Sequence, residues 1–423
     1  MSPRLLVLSN GHGEDLIALR LIEALQRGRS RALPVAVLPL VGEGGAFSSA
    51  EPRGWLQRVG PRQPLPSGGF SNQSLAGLVA DLRAGLPLLS WRQWQWVRRW
   101  GRSGAPVLAV GDLLPLLLAW GGGGPFGFLG TPKSDLTWAT PCPEGWGPTP
   151  LADACHRAKG SEWDPWEWAL MRSRRCRLVA MRDPLTAQNL RRHGVAALAP
   201  GNPMMDGLEA DPLPGWLRGR RRLLLLPGSR MPEAQRNLAR LLAALPSEGG
   251  EPTTALLPTG TSPSPEDLAP LLAAAGFHPQ PPHAASGAAA SWRREHLEVV
   301  IGPGRFARWA GWAEVGLATA GTACEQLVGL GIPALSLPGP GPQFQTGFAR
   351  RQSRLLGGAV HPCHDAAELG WRLKALLADG EERRRLGAIG QRRMGPPGGS
   401  AQLAKLVASR LLGEGGPVAS GGG

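Results

Sequence analysis

The chain has 423 residues, enough for two or three domains with cores of their own. Its 42% hydrophobic content falls in periodic runs, which excludes wholesale disorder despite 60 glycines and 42 prolines. The formal charge of +14 is carried almost entirely by arginine, the only lysines being Lys133, Lys159, Lys374 and Lys405; this favours anionic partners but names none, and GC-rich coding accounts for part of it.

The first element is the apolar strand Arg4–Ser9, too short for the roughly 7–15 apolar residues of a signal-peptide core, so no export signal is expected. After the turn Asn10–Gly13, a helix runs from Glu14 to Gln26 with Ile17, Leu21 and Leu25 on one face. Strand Val35–Leu40 follows, and Glu51–Gly69 reads as loop. Residues 105–130 are apolar with Asp112 as the sole charge, but four consecutive glycines and three prolines argue against a membrane span. Within that stretch Pro106–Val110 is a buried strand ending in Gly111-Asp112. Strands Leu178–Met181 and Val195–Leu198 flank a helix over Pro184–His193.

Prolines and glycines cluster over Gly201–Gly219, where the domain boundary is placed, and a second β/α series begins. It reads as strand Arg222–Leu226, helix Pro232–Leu245, strands Thr254–Leu257, Leu297–Ile301 and Val315–Ala318, a helix near Thr322–Leu330, and strand Ile332–Leu337. Pro279–Ser291 is expected to be a low-complexity loop, and Gly413–Gly423 a disordered tail. The expectation is an α/β protein of two Rossmann-like, doubly wound domains facing a cleft. The N-terminal domain would span 1–205 and the C-terminal domain 206–395, with a final helix and tail over 396–423.

Ligands of such sheets bind beyond the carboxyl ends of the strands, which selects three turns. In the first, Asn10, Gly11, His12, Gly13, Glu14 and Asp15 combine backbone access with titratable groups, without the dinucleotide GxGxxG spacing. In the second, Gly228, Ser229 and Arg230 place a guanidinium beside free amides, suited to pyrophosphate. In the third, Gly321 and Thr322 open a helix whose first turn carries Glu325, able to accept from a ribose diol. Gln343 and Gln345 follow on a loop that could read a base or sugar. The five cysteines form no CxxC pair, which fits free thiols in a reducing compartment. His361, Cys363 and His364 read as a loop at a helix start, and no metal site is expected.

Five motifs in this order resemble the lipid-A-disaccharide synthase-related family: SNGHGEDLIA (9–18), RDPLTAQNLRRHG (182–194), GNPMMDGL (201–208), LLLLPGSR (223–230) and ATAGTACEQ to PGPGPQFQ (318–345). The resemblance implies a glycosyltransferase B fold and a metal-independent hexosyltransferase. Carried over by position, Ser229 and Arg230 would meet the UDP phosphates, Glu325 the ribose, and Gln343 and Gln345 the nucleotide. Asp112 stands one residue from the position of a family aspartate important for activity, and the turn GHGED replaces the family's GExSGD.

Transfer needs a base for the acceptor hydroxyl, for which Asp112 and His12 are the candidates, Asp112 favoured. The donor would be a UDP-sugar, with no further cofactor, and the acceptor a lipid or lipid-like molecule. The segment Leu86–Trp100 interleaves Trp91, Trp94, Trp96 and Trp100 with Arg92, Arg98 and Arg99. Its Trp91, Trp94, Arg98 and Arg99 are the candidate contacts to a membrane surface, the competing reading being a buried amphipathic helix. The protein is expected in the cytoplasm, with peripheral contact to the inner face of a membrane. Two alternatives stay open: a nucleotide-sugar epimerase of the same fold, and a non-catalytic nucleotide-sugar or membrane-binding protein. No nucleic-acid partner is expected, since no recognised binding motif accompanies the charge.

Overall fold

The computed structural model describes residues 4–63, 79, 81–208, 211–245, 250–319, 321–339 and 344–414, with the side chain of His12 outside that description. The chain divides into two compact units. The first comprises Met1–Trp138, Thr149–Asp206 and Pro397–Gly423, and the second Ala139–Pro148 and Gly207–Pro396.

The first unit is built on seven strands: β1 (Leu5–Ser9), β2 (Val35–Pro39), β3 (Leu56–Arg58), β4 (Val107–Gly111), β5 (Phe126–Gly130), β6 (Cys176–Met181) and β7 (Ala197–Leu198). Their order is β3-β2-β1-β4-β5-β6-β7, and every pairing is parallel. Each of β1, β2, β4 and β5 is buried along its whole length, which is why they read as unbroken apolar runs rather than alternations. The apolar stretch 105–130 resolves into β4, the helix Leu113–Gly121 and β5, and no described helix is long and apolar enough to cross a membrane. One expectation fails here. The loop expected over Glu51–Gly69 contains β3, which pairs with β2 from Val35↔Leu56 to Val37↔Arg58. A three-residue edge strand has too little pattern of its own to be visible; the exposed backbone of β2 creates it.

The helix Gly399–Arg410 returns to this unit and packs on the first helix, His12–Gln26. The GNPMMD motif explains how. The Asp206 carboxylate accepts from the amides of Gly398 and Ser400, capping that last helix, and Asn202 caps the turn Pro203–Met205. Arg20 then donates to the carbonyls of Pro203 and Met204 at 3.0 and 2.9 Å.

The second unit holds β8 (Arg221–Leu226), β9 (Thr253–Thr259), β10 (His278–Gln280), β11 (Ala290–Arg294), β12 (Leu297–Pro303), β13 (Val315–Ala318), β14 (Ala334–Ser336) and β15 (Val360–Pro362). The order is β10-β11-β12-β9-β8-β13-β14-β15. The six strands from β12 to β15 in that order are parallel, and β11 and β10 extend the sheet antiparallel. The loop expected over Pro279–Ser291 is therefore wrong at both ends, where β10 and β11 lie. β11 reads Ala-Ser-Trp-Arg-Arg, and the buried Ser291 is satisfied by Glu298 at 2.9 Å, so polar pairing with β12 stands in for an apolar run. Residues 139–148 belong to this unit: Trp146 donates its indole N–H to the Pro362 carbonyl at 2.9 Å and stacks on His364, and Arg354 donates to the Thr140 carbonyl at 2.7 Å.

Candidate functional site

In an open parallel sheet the ligand crevice lies where strand order reverses. For the first unit that point is the β1/β4 pair, and the chain crosses it on two glycines. Gly11 has φ 130° and Gly111 φ 135°, both inaccessible to residues with a Cβ without strain. At Gly111 an added Cβ would also stand 3.0 Å from the Asn10 side chain and 3.1 Å from Pro115. The two strand ends therefore run close enough for Asn10 Nδ2 to donate to Asp112 Oδ1 at 2.8 Å. The same oxygen accepts from the Leu114 amide at 3.2 Å, making Asp112 the N-cap of the helix Leu113–Gly121. Beyond β5, the Thr131 hydroxyl donates to Glu14 Oε1 at 3.2 Å. Asp15 is buried and accepts from Ser9 Oγ.

Asn10, Glu14, Asp15 and Asp112 are thus brought together, and the environment raises the pKa of all three carboxyls. Burial is the main cause in each case, because it penalises the charged form. Glu14 reaches about 7, with Asp112 and Asp15 adding to the rise and its own amide and Thr131 opposing it. Asp15 also reaches about 7 against the Ser9 hydrogen bond. Asp112 is raised too, opposed by the Leu114 amide and by Lys133. That lysine, absent from the sequence-based candidates, is bound to Glu167 at 2.6 Å and lies over the Trp163 ring. Thr131 was missed as well; nothing in its local sequence marks it, and only strand order places it beside Glu14.

The corresponding reversal in the second unit is the β8/β13 pair. β8 ends in Pro227-Gly228-Ser229-Arg230, where Gly228 adopts φ 93° and Asn237 pins the turn by donating to the Pro227 carbonyl at 3.1 Å. Ser229 is exposed and Arg230 half-buried, its guanidinium pulled below the usual range by burial and supported by Glu233. Thr319, directly after β13, donates both its amide and hydroxyl to the Leu226 carbonyl, tying the two turns together. Gly321 then opens the helix Thr322–Gly329, with Thr322 exposed and Glu325 buried in the first turn. Gln352 holds the Gly321 carbonyl at 2.9 Å. Gln345 is exposed at the N-cap of the helix Thr346–Leu355, while Gln343 lies outside the described residues. Sequence reasoning missed Arg240, which donates to the Pro338 carbonyl at 2.6 Å and whose other Nη is buried without a partner.

The tryptophan-rich helix spans Leu86–Gly101 and buries Leu89, Gln93 and Val97 at four-residue spacing. Trp94, Trp96 and Trp100 are half-buried against the first unit's core, so part of the aromatic content is structural. Trp91 is 54% exposed, stacked on Trp94, and Arg98 covers Trp94 at 5.0 Å. Trp94, Arg98, Arg102 and Trp120 line a cavity of about 500 Å³, and Arg175 lies over Trp120. Three further tryptophans lie close together in sequence: Trp163 and Trp168 are internal and Trp166 is exposed. Among the described residues no group of three His, Cys, Asp or Glu side chains is arranged to hold a metal ion.

No protein-family model matches the chain, and no curated protein matches it. Solved structures do. The calicheamicin glycosyltransferase CalG4 is 16% identical with a TM-score of 0.58, covering 99% of this chain and 100% of that one. The S. aureus MnaA–UDP complex is 13% identical with a TM-score of 0.57 and full coverage of both chains. The UDP-GlcNAc 2-epimerase of Neisseria meningitidis, bound to UDP-GlcNAc, is 14% identical with a TM-score of 0.53, covering 97% and 99%. The fold is of glycosyltransferase B type. At such identities the likeness carries the fold alone; in this chain each of its two Rossmann-like domains places different chemistry at its own strand-order reversal.

Proposed function

We propose that the protein is a glycosyltransferase that moves a sugar from a UDP-sugar to a lipid or lipid-like acceptor, in the manner of lipid-A-disaccharide synthase. The observation that carries this is the division of chemistry between the two reversal points. The second domain offers Gly228, Ser229, Arg230 and the amides opening the helix at Thr322, a set suited to a diphosphate. The first offers carboxyls whose pKa values lie near neutrality, suited to taking a proton. In this reading Ser229 and Arg230 hold the UDP phosphates, Glu325 accepts from the ribose, and Gln345 lies toward the nucleotide. As the bond to the anomeric carbon breaks, negative charge grows on the diphosphate, and Arg230 with the helix amides stabilises it. Arginine supplies the positive charge, so we propose that transfer needs no metal ion and continues in the presence of EDTA.

The acceptor's lipid character is supported by the exposed Trp91 and Trp120 among Arg92, Arg98, Arg99 and Arg102, an aromatic and cationic surface suited to an anionic bilayer. A second reading, nucleotide-sugar epimerisation, is favoured by two carboxyls adjacent in sequence, Glu14 and Asp15, each raised by burial to about 7, since two such groups could move protons on one sugar. One experiment separates them. A panel of sugar nucleotides is incubated with the protein and lipid acceptors, and both UDP release and sugar epimers are followed. Acceptor-dependent UDP release supports transfer; epimer formation without UDP release supports the second reading. If calorimetry detects no nucleoside diphosphate binding, both are wrong.

A further inference from the structure

We propose that Glu14 is the proton acceptor for the incoming hydroxyl and that Asp112, the aspartate the motif comparison favours, is a positioning residue. This rests on the transferase reading above. Asp112 Oδ1 is already committed twice, to Asn10 Nδ2 at 2.8 Å and to the Leu114 amide at 3.2 Å. Protonating Asp112 would weaken both the bond that joins the ends of β1 and β4 and the cap of the helix Leu113–Gly121. Glu14 is differently placed. Its Oε1 accepts from Thr131, and its Oε2 points toward Gly11, lying 3.9 Å from where a Cβ on that residue would stand. Gly11 has no side chain to fill that space and, its chain neighbours aside, no other atom of the described residues lies within 4 Å of that point, so this is the side on which the acceptor hydroxyl is placed.

The groups around Glu14 suit the task. Asp112 faces it from the end of β4 and Thr131 from the end of β5, with Asp15 and His12 on its own helix. Two cations act on its partners. Lys133 acts on Asp112 and is bound to Glu167, and Arg182 donates to the Thr131 carbonyl at 3.4 Å. In the step itself the acceptor O–H proton passes to Glu14 Oε2 while the oxygen bonds to the anomeric carbon. The bond from that carbon to the UDP oxygen breaks, and its electron pair leaves on UDP.

The test is the pH dependence of kcat/KM for UDP release in wild type, E14Q, E14D, D112N and T131V, with UDP affinity measured by calorimetry. Glu14→Gln is expected to lower kcat/KM by about 10²–10⁴-fold with unchanged UDP affinity, and Glu14→Asp to restore part of it. Wild-type activity should fall on the acid side with a limb at about 7. Asp112→Asn removes a charge that raises Glu14 and should move the limb to lower pH; Thr131→Val removes a bond that lowers it and should move the limb up. Infrared difference titration should show carboxyl intensity near that pH from both Glu14 and Asp15, and E14Q should lose the Glu14 share of it while keeping that of Asp15. Wild-type turnover in E14Q, a limb that neither D112N nor T131V moves, or carboxyl intensity unchanged in E14Q each overturns the assignment. If the wild type releases no UDP from any donor, the transferase reading falls and the assignment with it. Activity that survives in E14Q defeats the assignment alone.

Discussion

The carboxyl of Glu14 makes a stability prediction that needs no substrate. Burial raises its pKa from 4.5 to about 7 in the folded protein. The folded state therefore binds this proton more tightly than the unfolded chain. Its contribution to stability is fully present below about pH 4.5 and is lost as pH rises through about 7. At about 1.4 kcal/mol per pKa unit, holding the charged form in place costs about 3 kcal/mol above neutrality, an upper figure because Glu14 is only half-buried. Glu14→Gln removes that cost while keeping the shape and the acceptor for Thr131. The variant should match wild type near about pH 4 and exceed it by up to about 3 kcal/mol near about pH 8.5. Guanidinium unfolding at the two pH values, read on the first-domain transition, measures the difference. Equal stabilities at both values, or a variant less stable at the higher one, would refute the reasoning. Such a gain at the expense of turnover is the trade expected of a group held for chemistry rather than for folding.

Other predictions follow from single contacts. Arg230→Ala should weaken UDP binding by about tenfold or more through the loss of a charge-assisted contact, and calorimetry on the intact chain reads it. Trp91→Ala combined with Arg98→Ala should reduce flotation with anionic liposomes more than with neutral ones; equal loss on both would remove the electrostatic part of the membrane proposal. Gly387→Ala would place a methyl 2.2 Å from the Gly331 carbonyl, where the helix Gly380–Met394 meets the chain after the helix Thr322–Gly329. Backbone cannot yield as a side chain can, so a loss of about 1–3 kcal/mol is expected in the second-domain transition. Asp206→Ala removes the cap of the helix Gly399–Arg410 and should cost the first domain about 1 kcal/mol.

Much of the architecture was legible in the sequence because parallel strands buried on both faces must be continuous apolar runs, and β1, β4, β8 and β13 are. The turns that follow them are legible too, since glycine is needed where Gly11, Gly111 and Gly228 take positive φ. Strands β3, β10, β11 and β15 escaped because they lie at or near sheet edges and owe their structure to a neighbour's backbone or to polar pairing, His361 standing in β15 where a loop was expected, and β5 escaped because its glycines break the apolar run Phe-Gly-Phe-Leu-Gly. The tryptophans of the helix Leu86–Gly101 could be placed on a helix but not divided between core and surface, because Trp suits both.

What the sequence could not contain was strand order. The residues Asn10, Glu14, Asp112 and Thr131 are spread over more than a hundred positions, and only the order β1-β4-β5 makes them neighbours. In the second unit the pairing of β8 with β13 likewise sets the turn that carries Arg230 beside the one that leads to Glu325. By itself the sequence marked candidate residues at strand ends, since residue type and periodicity are local, and it left Thr131, Lys133 and Arg240 unmarked. Tertiary structure decided that Asp112 is bound into a helix cap and that Glu14 accepts from Thr131, because burial and partnership are properties of the neighbours that packing brings.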